Sequence, residues 1–196
     1  MVYDCWPMAA AGNQEALKGL IALDDGQAYK ELFVLYYPRL LQFSYSFTHC
    51  KESAEEIVSD VFLKIWLRRK SLPEVENLHL YLYVSTKNLS LNCVLKQKRI
   101  KTFSLEEVKV EFNSIYFNPE QLYISGEMFQ RIHSAIKQLP PKCQLIFKLV
   151  KEDGLKYKQV AVLLGLSVKT VECQMGIALR KMSLGIQFDL ARISPH

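Results

Sequence analysis

The sequence predicts an all-α protein made of two small helical domains joined by a flexible linker. Almost every segment with a regular apolar repeat has the period of a helix, and no segment shows the strict alternation of a half-buried strand. Between residues 102 and 125 the repeat weakens, and acids, asparagines and a proline mix with scattered aromatics, which is typical of a linker. In the second periodic region, the stretch Gly154–Glu172 fits a helix-turn-helix.

The amino-acid composition limits the classes of function that this chain can have. The 196 residues are 49% apolar, enough to build hydrophobic cores, and their net charge of +5 suits an anionic partner. No basic N-terminal segment precedes an apolar run and no apolar stretch reaches membrane-spanning length, so we expect neither a secretory signal nor a transmembrane helix. The 5 cysteines form no C-x-x-C pair, which favours reduced thiols in the cytoplasm and predicts neither a metal site nor another cofactor.

The N-terminal domain is predicted to begin with two apolar helical runs separated by a proline. Residues 27–37 form the first run, Pro38 interrupts it, and the second continues to Phe47. Ser53 and Glu56 have the spacing of a capping box and predict the start of the next helix. One face of that helix is expected to be buried through a broad apolar stripe: Ile57, Val58, Val61, Phe62, Ile65 and Trp66.

A long basic helix follows. Pro73 and its acidic neighbours mark a loop, after which Asn77 can cap a helix from Leu78 to about Lys98. This helix is expected to pack through Leu78, Leu82, Leu89 and Cys93. Its second half carries no acid, which suits nucleic acid but also suits a solvated helix end whose basic residues complement the helix dipole.

Helices resume after the linker at about Glu127. The first is expected to be apolar along one side, at Met128, Ile132, Ala135 and Leu139. Pro140 and Pro141 stop it, and Pro141 suits the first position of the next helix. That helix is expected to end near Gly154 and to turn four side chains inward: Cys143, Ile146, Phe147 and Val150.

In the helix-turn-helix, Gly165 can take the left-handed conformation that ends the first helix, and Ser167 is a good N-cap for the second. The first helix has one apolar face, formed by Tyr157, Val160, Ala161 and Leu164. The second is expected to run to about Met182 and to bury Val171, Met175, Ala178, Leu179 and Met182. Four residues near its start remain outside, as in a helix that enters the major groove: Lys169, Thr170, Cys173 and Gln174.

Two helices joined by a glycine turn also occur in bundles that bind no nucleic acid, and charge favours DNA here. Residues 137–180 carry eight basic side chains: Lys137, Lys142, Lys148, Lys151, Lys156, Lys158, Lys169 and Arg180. Only three acids oppose them: Glu152, Asp153 and Glu172.

Together the two regions resemble the bacterial extracytoplasmic-function (ECF) sigma factors, the small promoter-recognition subunits of RNA polymerase. Residues 54–66, AEEIVSDVFLKIW, are similar to the polymerase-binding helix of region 2, and residues 81–92, YLYVSTKNLSLN, to the helix that opens and binds the −10 element. Residues 139–147, LPPKCQLIF, lead into the helix-turn-helix as in region 4, which recognises the −35 element. The resemblance implies the following domains: an N-terminal extension (1–26), region 2 (27–101), a linker (102–125), region 4 (126–184) and a tail (185–196).

The resemblance implies three binding surfaces. Core polymerase would contact side chains off the apolar stripe: Glu55, Ser59, Asp60, Leu63 and Lys64. The melted −10 strand would meet rings that stack on bases, amides that bond base edges and basic side chains: Asn77, Tyr81, Tyr83, Lys87, Asn88, Asn92, Lys96, Lys98 and Arg99. The duplex −35 element would meet the helix-turn-helix: Lys156, Lys158, Lys169, Thr170, Cys173, Gln174, Arg180 and Lys181.

The resemblance further implies an initiation factor with no catalytic activity and no small-molecule substrate. Its partners would be core RNA polymerase, promoter DNA and an anti-sigma factor, which in this family is often membrane-anchored. The nearest alternative is a helix-turn-helix transcription regulator with an unrelated helical sensory or dimerisation domain, which would bind operators without polymerase. An enzyme would need a cluster of acid–base or nucleophilic residues, and the sequence offers no such cluster.

Overall fold

The computed structural model describes residues 9–98, 102–110 and 126–193, and these ranges contain helices and turns but no strand. The chain divides into two units, residues 1–109 and residues 110–196. The predicted all-α fold with two helical domains is confirmed. Unit 1 contains four α-helices and two 3₁₀ turns among its described residues: α1 (Ala9–Ala22), α2 (Gly26–Thr48), α3 (Lys51–Leu67), a turn at Arg69–Glu74, α4 (Leu78–Lys98) and a turn at Leu105–Glu107.

α2 packs against both α3 and α4. Its buried residues recur at helical spacing along the whole helix: Leu32, Tyr36, Leu40, Phe43 and Phe47. The predicted interruption at Pro38 is therefore wrong, because α2 runs through this residue, which lies on its exposed side. A proline inside a helix costs about 3 kcal/mol. The buried side chains on both sides of Pro38 offset that cost, since each large one stabilises the fold by about 1.5–3 kcal/mol.

α3 begins at Lys51, so the capping box predicted at Ser53 is wrong. His49 ends α2 in the left-handed conformation, with φ of 53°, and only Cys50 separates it from α3. A left-handed histidine leaves no clear mark in a sequence, so the short connection could not be anticipated. The predicted stripe is buried at five positions, with Trp66 half-buried: Ile57, Val58, Val61, Phe62 and Ile65.

Asn77 caps α4 as predicted, because its Oδ1 accepts a 2.8 Å hydrogen bond from the Leu80 N–H. Of the four predicted packing residues, Leu78 and Leu82 are buried, whereas Leu89 and Cys93 are only half-buried. Several unpredicted side chains complete the buried face: His79, Tyr83, Thr86, Ser90 and Val94. Ser90 Oγ lies 2.9 Å from Ser44 Oγ of α2 in a buried hydrogen bond, so a polar position serves helix packing.

Two stretches outside residues 27–101 also pack into unit 1. Leu17 and Ile21 of α1 are buried, and α1 packs on the 3₁₀ turn at Arg69–Glu74. Val108 is buried as well, and the neighbouring Lys109 N–H donates to the Ser46 carbonyl at 3.0 Å. A short 3₁₀ turn lies at Leu105–Glu107, within the segment predicted to be a linker, while residues 111–125 lie outside the described ranges.

The described helices of unit 2 are α5 (Gly126–Lys137), α6 (Pro141–Lys151), α7 (Tyr157–Leu164) and α8 (Val168–Ile193), and α8 packs against the other three. Pro141 begins α6 as predicted. Cys143, Ile146 and Phe147 are buried as predicted, and Val150 is half-buried. On α5, Leu139 just beyond the helix is buried, whereas the side chains of Met128 and Ile132 lie outside the described residues.

α8 differs from its prediction in two ways. It runs to Ile193, well beyond Met182, because a glycine inside a helix costs only about 1 kcal/mol and does not end it. Leu179 was predicted to be buried but is 45% exposed. The buried row of α8 follows Val171, Met175 and Ala178, and Leu179 lies at the edge of this row.

Candidate nucleic-acid and partner-binding surfaces

The turn between α7 and α8 has the geometry of a helix-turn-helix, with the two helices bent by 111°. Gly165 adopts the left-handed conformation at φ of 66°, and the Leu166 N–H donates to the Ala161 carbonyl at 2.9 Å, which closes α7. A Cβ added to Gly165 would meet no atom within 4 Å, so glycine is favoured here by its backbone conformation alone. Ser167 Oγ accepts a 3.0 Å hydrogen bond from the Thr170 N–H and caps α8.

The −35 candidates on α8 fall into two groups. Lys169, Cys173 and Arg180 are exposed and share one side of the helix, because they are separated by one or two helical turns. Thr170 and Gln174 lie beside this row and are half-buried. The Thr170 hydroxyl is also 2.8 Å from Ser167 Oγ, so it takes part in the cap. Of the five candidates on α8, Lys169, Cys173 and Arg180 are therefore the most accessible to DNA.

Three further residues on the exposed side of α8 were missed: Glu172, Gly176 and Ile177. Ile177 is 46% exposed although it is apolar, and an apolar side chain at a groove can contact a thymine methyl. Helical spacing from Lys169 could have identified all three. Lys181, in contrast, donates from Nζ to the Gln138 carbonyl at 2.7 Å and so bonds within its own unit.

Three charged side chains of unit 2 that the sequence analysis counted toward its surface charge are buried. Lys148 was counted in the basic field but is only 1% exposed. Its Nζ lies 3.0 Å and 3.1 Å from the two carboxylate oxygens of Asp153 and 3.4 Å from Glu152. Burial alone would lower the pKa of Lys148, but the two carboxylates together raise it. Removing these three residues from the surface leaves Glu172 as the one acid facing seven basic residues in 137–180, a more positive surface than predicted.

At the start of α7, Lys156 and Lys158 are both exposed. The Lys156 N–H donates to Gln159 Oε1 at 2.7 Å, which fixes the first turn of the helix. Two lysines at a helix N-terminus that adjoins the recognition helix can contact phosphates on the DNA backbone.

The −10 candidates on α4 also separate into groups. Tyr81, Asn88, Asn92 and Lys96 lie on one side of the helix at spacings of one or two turns, and all four are at least partly exposed. Lys87 lies about 100° around the helix from Asn88. It is half-buried, and this burial lowers the pKa of its amine.

The remaining −10 candidates do not lie in this exposed row of α4. Asn77 is exposed but uses its side-chain oxygen to cap α4. The Lys98 side chain and Arg99 lie outside the described residues. Tyr83 was expected to stack on bases, and that expectation is wrong: its ring is fully buried, with its centroid 5.0 Å from that of Phe43. The period of the helix could have shown this, since Tyr83 follows His79 by one turn on the packed side.

On α3, the proposed polymerase-binding residues Ser59, Asp60, Leu63 and Lys64 are exposed, and Glu55 is partly exposed. Leu63 is 53% exposed, and Leu67, one turn later, is 68% exposed. Leu67 was missed in the sequence, because a residue at the end of an apolar stripe cannot be assigned to a face by period alone. Two leucines one turn apart form a small apolar surface with Asp60 and Lys64 beside it.

No single helix in the described ranges is both long and apolar enough to cross a membrane. One bent pair, Tyr157–Leu164 with Val168–Ser183, would be long and apolar enough if its two helices were taken together, on length and composition alone.

Two family descriptions match the chain, one on each unit. Sigma-70 region 2 matches residues 32–100, and Sigma-70 region 4 matches residues 129–182. The first match contains the exposed faces of α3 and α4, and the second contains the helix-turn-helix.

The chain is also similar to curated proteins over most of its own length. The chain is similar to the ECF RNA polymerase sigma factor SigE of Mycolicibacterium smegmatis, with 24% identity over 85% of this chain and 61% of SigE. It is also similar to the ECF sigma factor SigW of Bacillus subtilis, with 22% identity over 77% of this chain and 84% of SigW. The match thus spans less than two thirds of SigE.

Two solved structures share the fold. CnrH in complex with the cytosolic domain of CnrY has a TM-score of 0.52 at 19% identity, covering 90% of this chain and 99% of that one. The sigma factor RpoE in complex with the anti-sigma factor NepR from Bartonella quintana also has a TM-score of 0.52, at 20% identity, covering 82% of this chain and 98% of that one.

Proposed function

The chain belongs to the extracytoplasmic-function sigma factors, and we propose that it binds bacterial core RNA polymerase and directs it to specific promoters. The observation that carries this proposal is the occurrence of region 2 and region 4 in order on one chain, each in its own helical unit. A regulator that binds operators unaided would need the helix-turn-helix but would have no use for region 2.

In this proposal, residues 126–184 form region 4 and bind the duplex −35 element through α8. Lys169 and Arg180 would contact guanine edges or phosphates, and Cys173, Thr170 and Gln174 would lie against neighbouring bases. Lys156 and Lys158 would bind the DNA backbone. The positive surface left after burial of Lys148 supports this assignment, because neutralised phosphates release counterions on binding.

Residues 27–101 form region 2 and bind the melted −10 strand along the exposed row of α4. Tyr81 offers a ring on which an unpaired base can stack, and Asn88 and Asn92 offer amides for base edges. Lys96, with Lys87, Lys98 and Arg99, supplies positive charge for the strand backbone. Asn77 contributes by holding the first turn of α4 in position.

Core polymerase would dock on the exposed face of α3. Leu63 and Leu67 form an apolar anchor that loses water on binding, and Asp60 and Lys64 at its rim orient the complex more than they strengthen it. Glu55 and Ser59 extend this face toward the start of the helix.

The protein acts in the cytoplasm as an initiation factor without catalytic activity of its own, because polymerase supplies the chemistry. Linking two weak DNA-binding units on one polymerase raises the effective concentration of each for its element. An anti-sigma factor that covers the polymerase-binding surface would hold the chain inactive. The two structures that share this fold, each solved as a complex with a partner protein, support such a partner.

Transcription by core polymerase from a promoter library, with and without the purified chain, tests the proposal. We expect initiation at a defined set of promoters only when the chain is present. Sequence-specific duplex binding without any polymerase-dependent initiation would instead support the operator-binding regulator.

Variants separate the proposed surfaces. The double variant Leu63→Asp, Leu67→Asp should weaken core binding and leave −35 duplex binding unchanged, because both side chains are exposed and their loss does not disturb the core. Val34→Asp on α2, also an exposed apolar residue, is the matched control.

Lys169→Ala and Gln174→Ala should weaken −35 binding and leave core binding intact. Equal loss of both activities would mean a folding defect, whereas unchanged core binding in the α3 variant, or unchanged −35 binding in the α8 variants, would contradict the assignment.

A further inference from the structure

The segment between α3 and α4 leads directly into the proposed −10 surface. It contains the 3₁₀ turn Arg69–Glu74, then Val75, whose N–H donates to the Leu72 carbonyl at 3.1 Å, and then Asn77, the cap of α4. Any shift of this segment would move the first turn of α4 and with it Tyr81. We refer to residues 69–77 as the entry loop.

A buried lysine from α1 holds the entry loop. Lys18 is only 2% exposed, and its Nζ donates to the Val75 carbonyl at 2.7 Å across 57 residues of sequence. The same Nζ lies 2.8 Å from Glu15 Oε2, a carboxylate that is mostly exposed. A buried ammonium is costly unless it is paired and hydrogen-bonded, and here the Glu15 carboxylate and the Val75 carbonyl provide both interactions.

A second contact ties the same two segments together. Asp24 ends α1 in the left-handed conformation, with φ of 67°, and its carboxylate pairs with the Arg69 guanidinium. Arg69 is itself held by a 2.9 Å bond from Nη1 to the Trp66 carbonyl, and its guanidinium lies 4.7 Å from the centre of the Trp66 ring. The entry loop is thus fixed at its first residue, Arg69, and again at Val75, two residues before its end.

Buried apolar residues fill the space between these two contacts. Leu17 and Ile21 of α1 and Leu72 of the entry loop are all buried, and α1 packs along the 3₁₀ turn. Apolar packing alone would hold the loop against α1, but it lacks the directional bonds that set the position of a particular carbonyl.

We propose that residues 15–24 act as a brace for the entry loop and that Lys18 is a positioning residue for base selection at the −10 element. This inference rests on the proposed function, since it concerns the site that would accept the melted strand. A site that discriminates among bases must be held within a fraction of an ångström by surrounding bonds. Lys18 supplies such a bond to the backbone two residues before Asn77.

The test compares the full chain with Lys18→Met in initiation by core polymerase on promoters with single-base substitutions across the −10 element. Methionine fills a similar volume without the ammonium. We expect wild-type discrimination of at least about fivefold for the best-selected base, falling below about twofold in Lys18→Met. Affinity for core polymerase and for the −35 duplex should not change. Lys30→Met, an exposed lysine on α2, is the matched control.

A second variant keeps the test decisive if Lys18→Met does not fold. Asp24→Asn removes only the charge, since asparagine tolerates the left-handed conformation, and the side chain is exposed, so folding should be retained. It should reduce −10 discrimination by a smaller factor. Unchanged discrimination in folded Lys18→Met, or in Asp24→Asn if the first variant is unfolded, would overturn the brace. Absence of promoter-directed initiation by the wild-type chain would instead overturn the proposed function.

Discussion

The two units bury charge in different ways. In unit 1, the buried Lys18 is held by a neutral backbone carbonyl and by a carboxylate that remains largely in water. In unit 2, the buried Lys148 is held by two carboxylates, Asp153 and Glu152, that are themselves buried. The first arrangement joins two segments that are 57 residues apart in the sequence, whereas the second lies within residues 148–153. A count of charged residues in the sequence therefore describes the charge of a surface only where those side chains are exposed.

Removing the buried cation of unit 2 should destabilise that unit strongly. Lys148→Met would leave Asp153 and Glu152 buried without their cation, which costs about 3–5 kcal/mol. We expect unit 2 to unfold at lower denaturant concentration while unit 1 is unchanged. Trp66 lies in α3 of unit 1 and no tryptophan occurs after residue 66, so tryptophan fluorescence does not report on unit 2, whereas far-ultraviolet circular dichroism follows both units.

Lys158→Met, which removes an exposed lysine from α7, is the control for this variant and should leave both transitions in place. An unchanged circular dichroism transition in Lys148→Met would mean that the two carboxylates find other partners. Lys148 would then not stabilise unit 2 through its buried charge pairs.

The stability of unit 2 should also depend on pH, though less strongly than on the loss of Lys148. Folding raises the pKa of Lys148 above its usual 10.5, because the paired carboxylates outweigh the opposing effect of burial. The stability contributed by the ammonium is therefore fully present below about pH 10.5 and is lost as pH rises through the folded value. We expect the free energy of unfolding of unit 2 to fall in this alkaline range. The fall should be weaker in Lys148→Met, and an equal fall in both proteins would contradict the assignment.

The ends of two helices provide a third comparison between the units. Asp24 ends α1 and Gly165 ends α7 with nearly the same left-handed φ, 67° and 66°. Gly165→Ala should destabilise unit 2 by about 1–2 kcal/mol, the cost of the left-handed conformation for a residue with a Cβ. No steric clash adds to this cost. Gly165→Asn should cost less, and equal losses in the two variants, measured by chemical unfolding, would point to sterics instead.

These helix ends also explain how far the sequence could predict the fold. Gly165 was identified because glycine marks left-handed ends, and Ser167 and Asn77 were identified because their side chains cap helices. His49 takes the same conformation as Gly165 without such a mark, which is why the start of α3 was misplaced. Pro38 led to the opposite error: a helix break was predicted there, but tertiary packing outweighed the local effect of proline and α2 is continuous.

The candidate sites were predictable to a similar extent. Helical spacing identified the exposed residues of α3 and α8, apart from edge residues such as Leu67 and Leu179, whereas the candidates on α4 came from the family resemblance and included the buried Tyr83. Burial of Lys148 and the contact between Lys18 and Val75 could not be predicted, because both depend on three-dimensional packing. The sequence alone does not distinguish a lysine that faces DNA from a lysine that pairs with a buried aspartate.

The helices proposed to contact DNA also differ between the two units. The exposed row of α4 carries no acid, whereas Glu172 lies among the exposed residues of α8. An uncompensated carboxylate near phosphates weakens binding to any sequence, so Glu172→Gln should raise affinity for duplex DNA by about twofold to fivefold at low salt. Glu106→Gln, an exposed acid in unit 1, is the control. A loss of affinity confined to one base pair of the −35 element would mean that Glu172 accepts a hydrogen bond from a cytosine amine, and its charge would then serve selection instead of opposing binding.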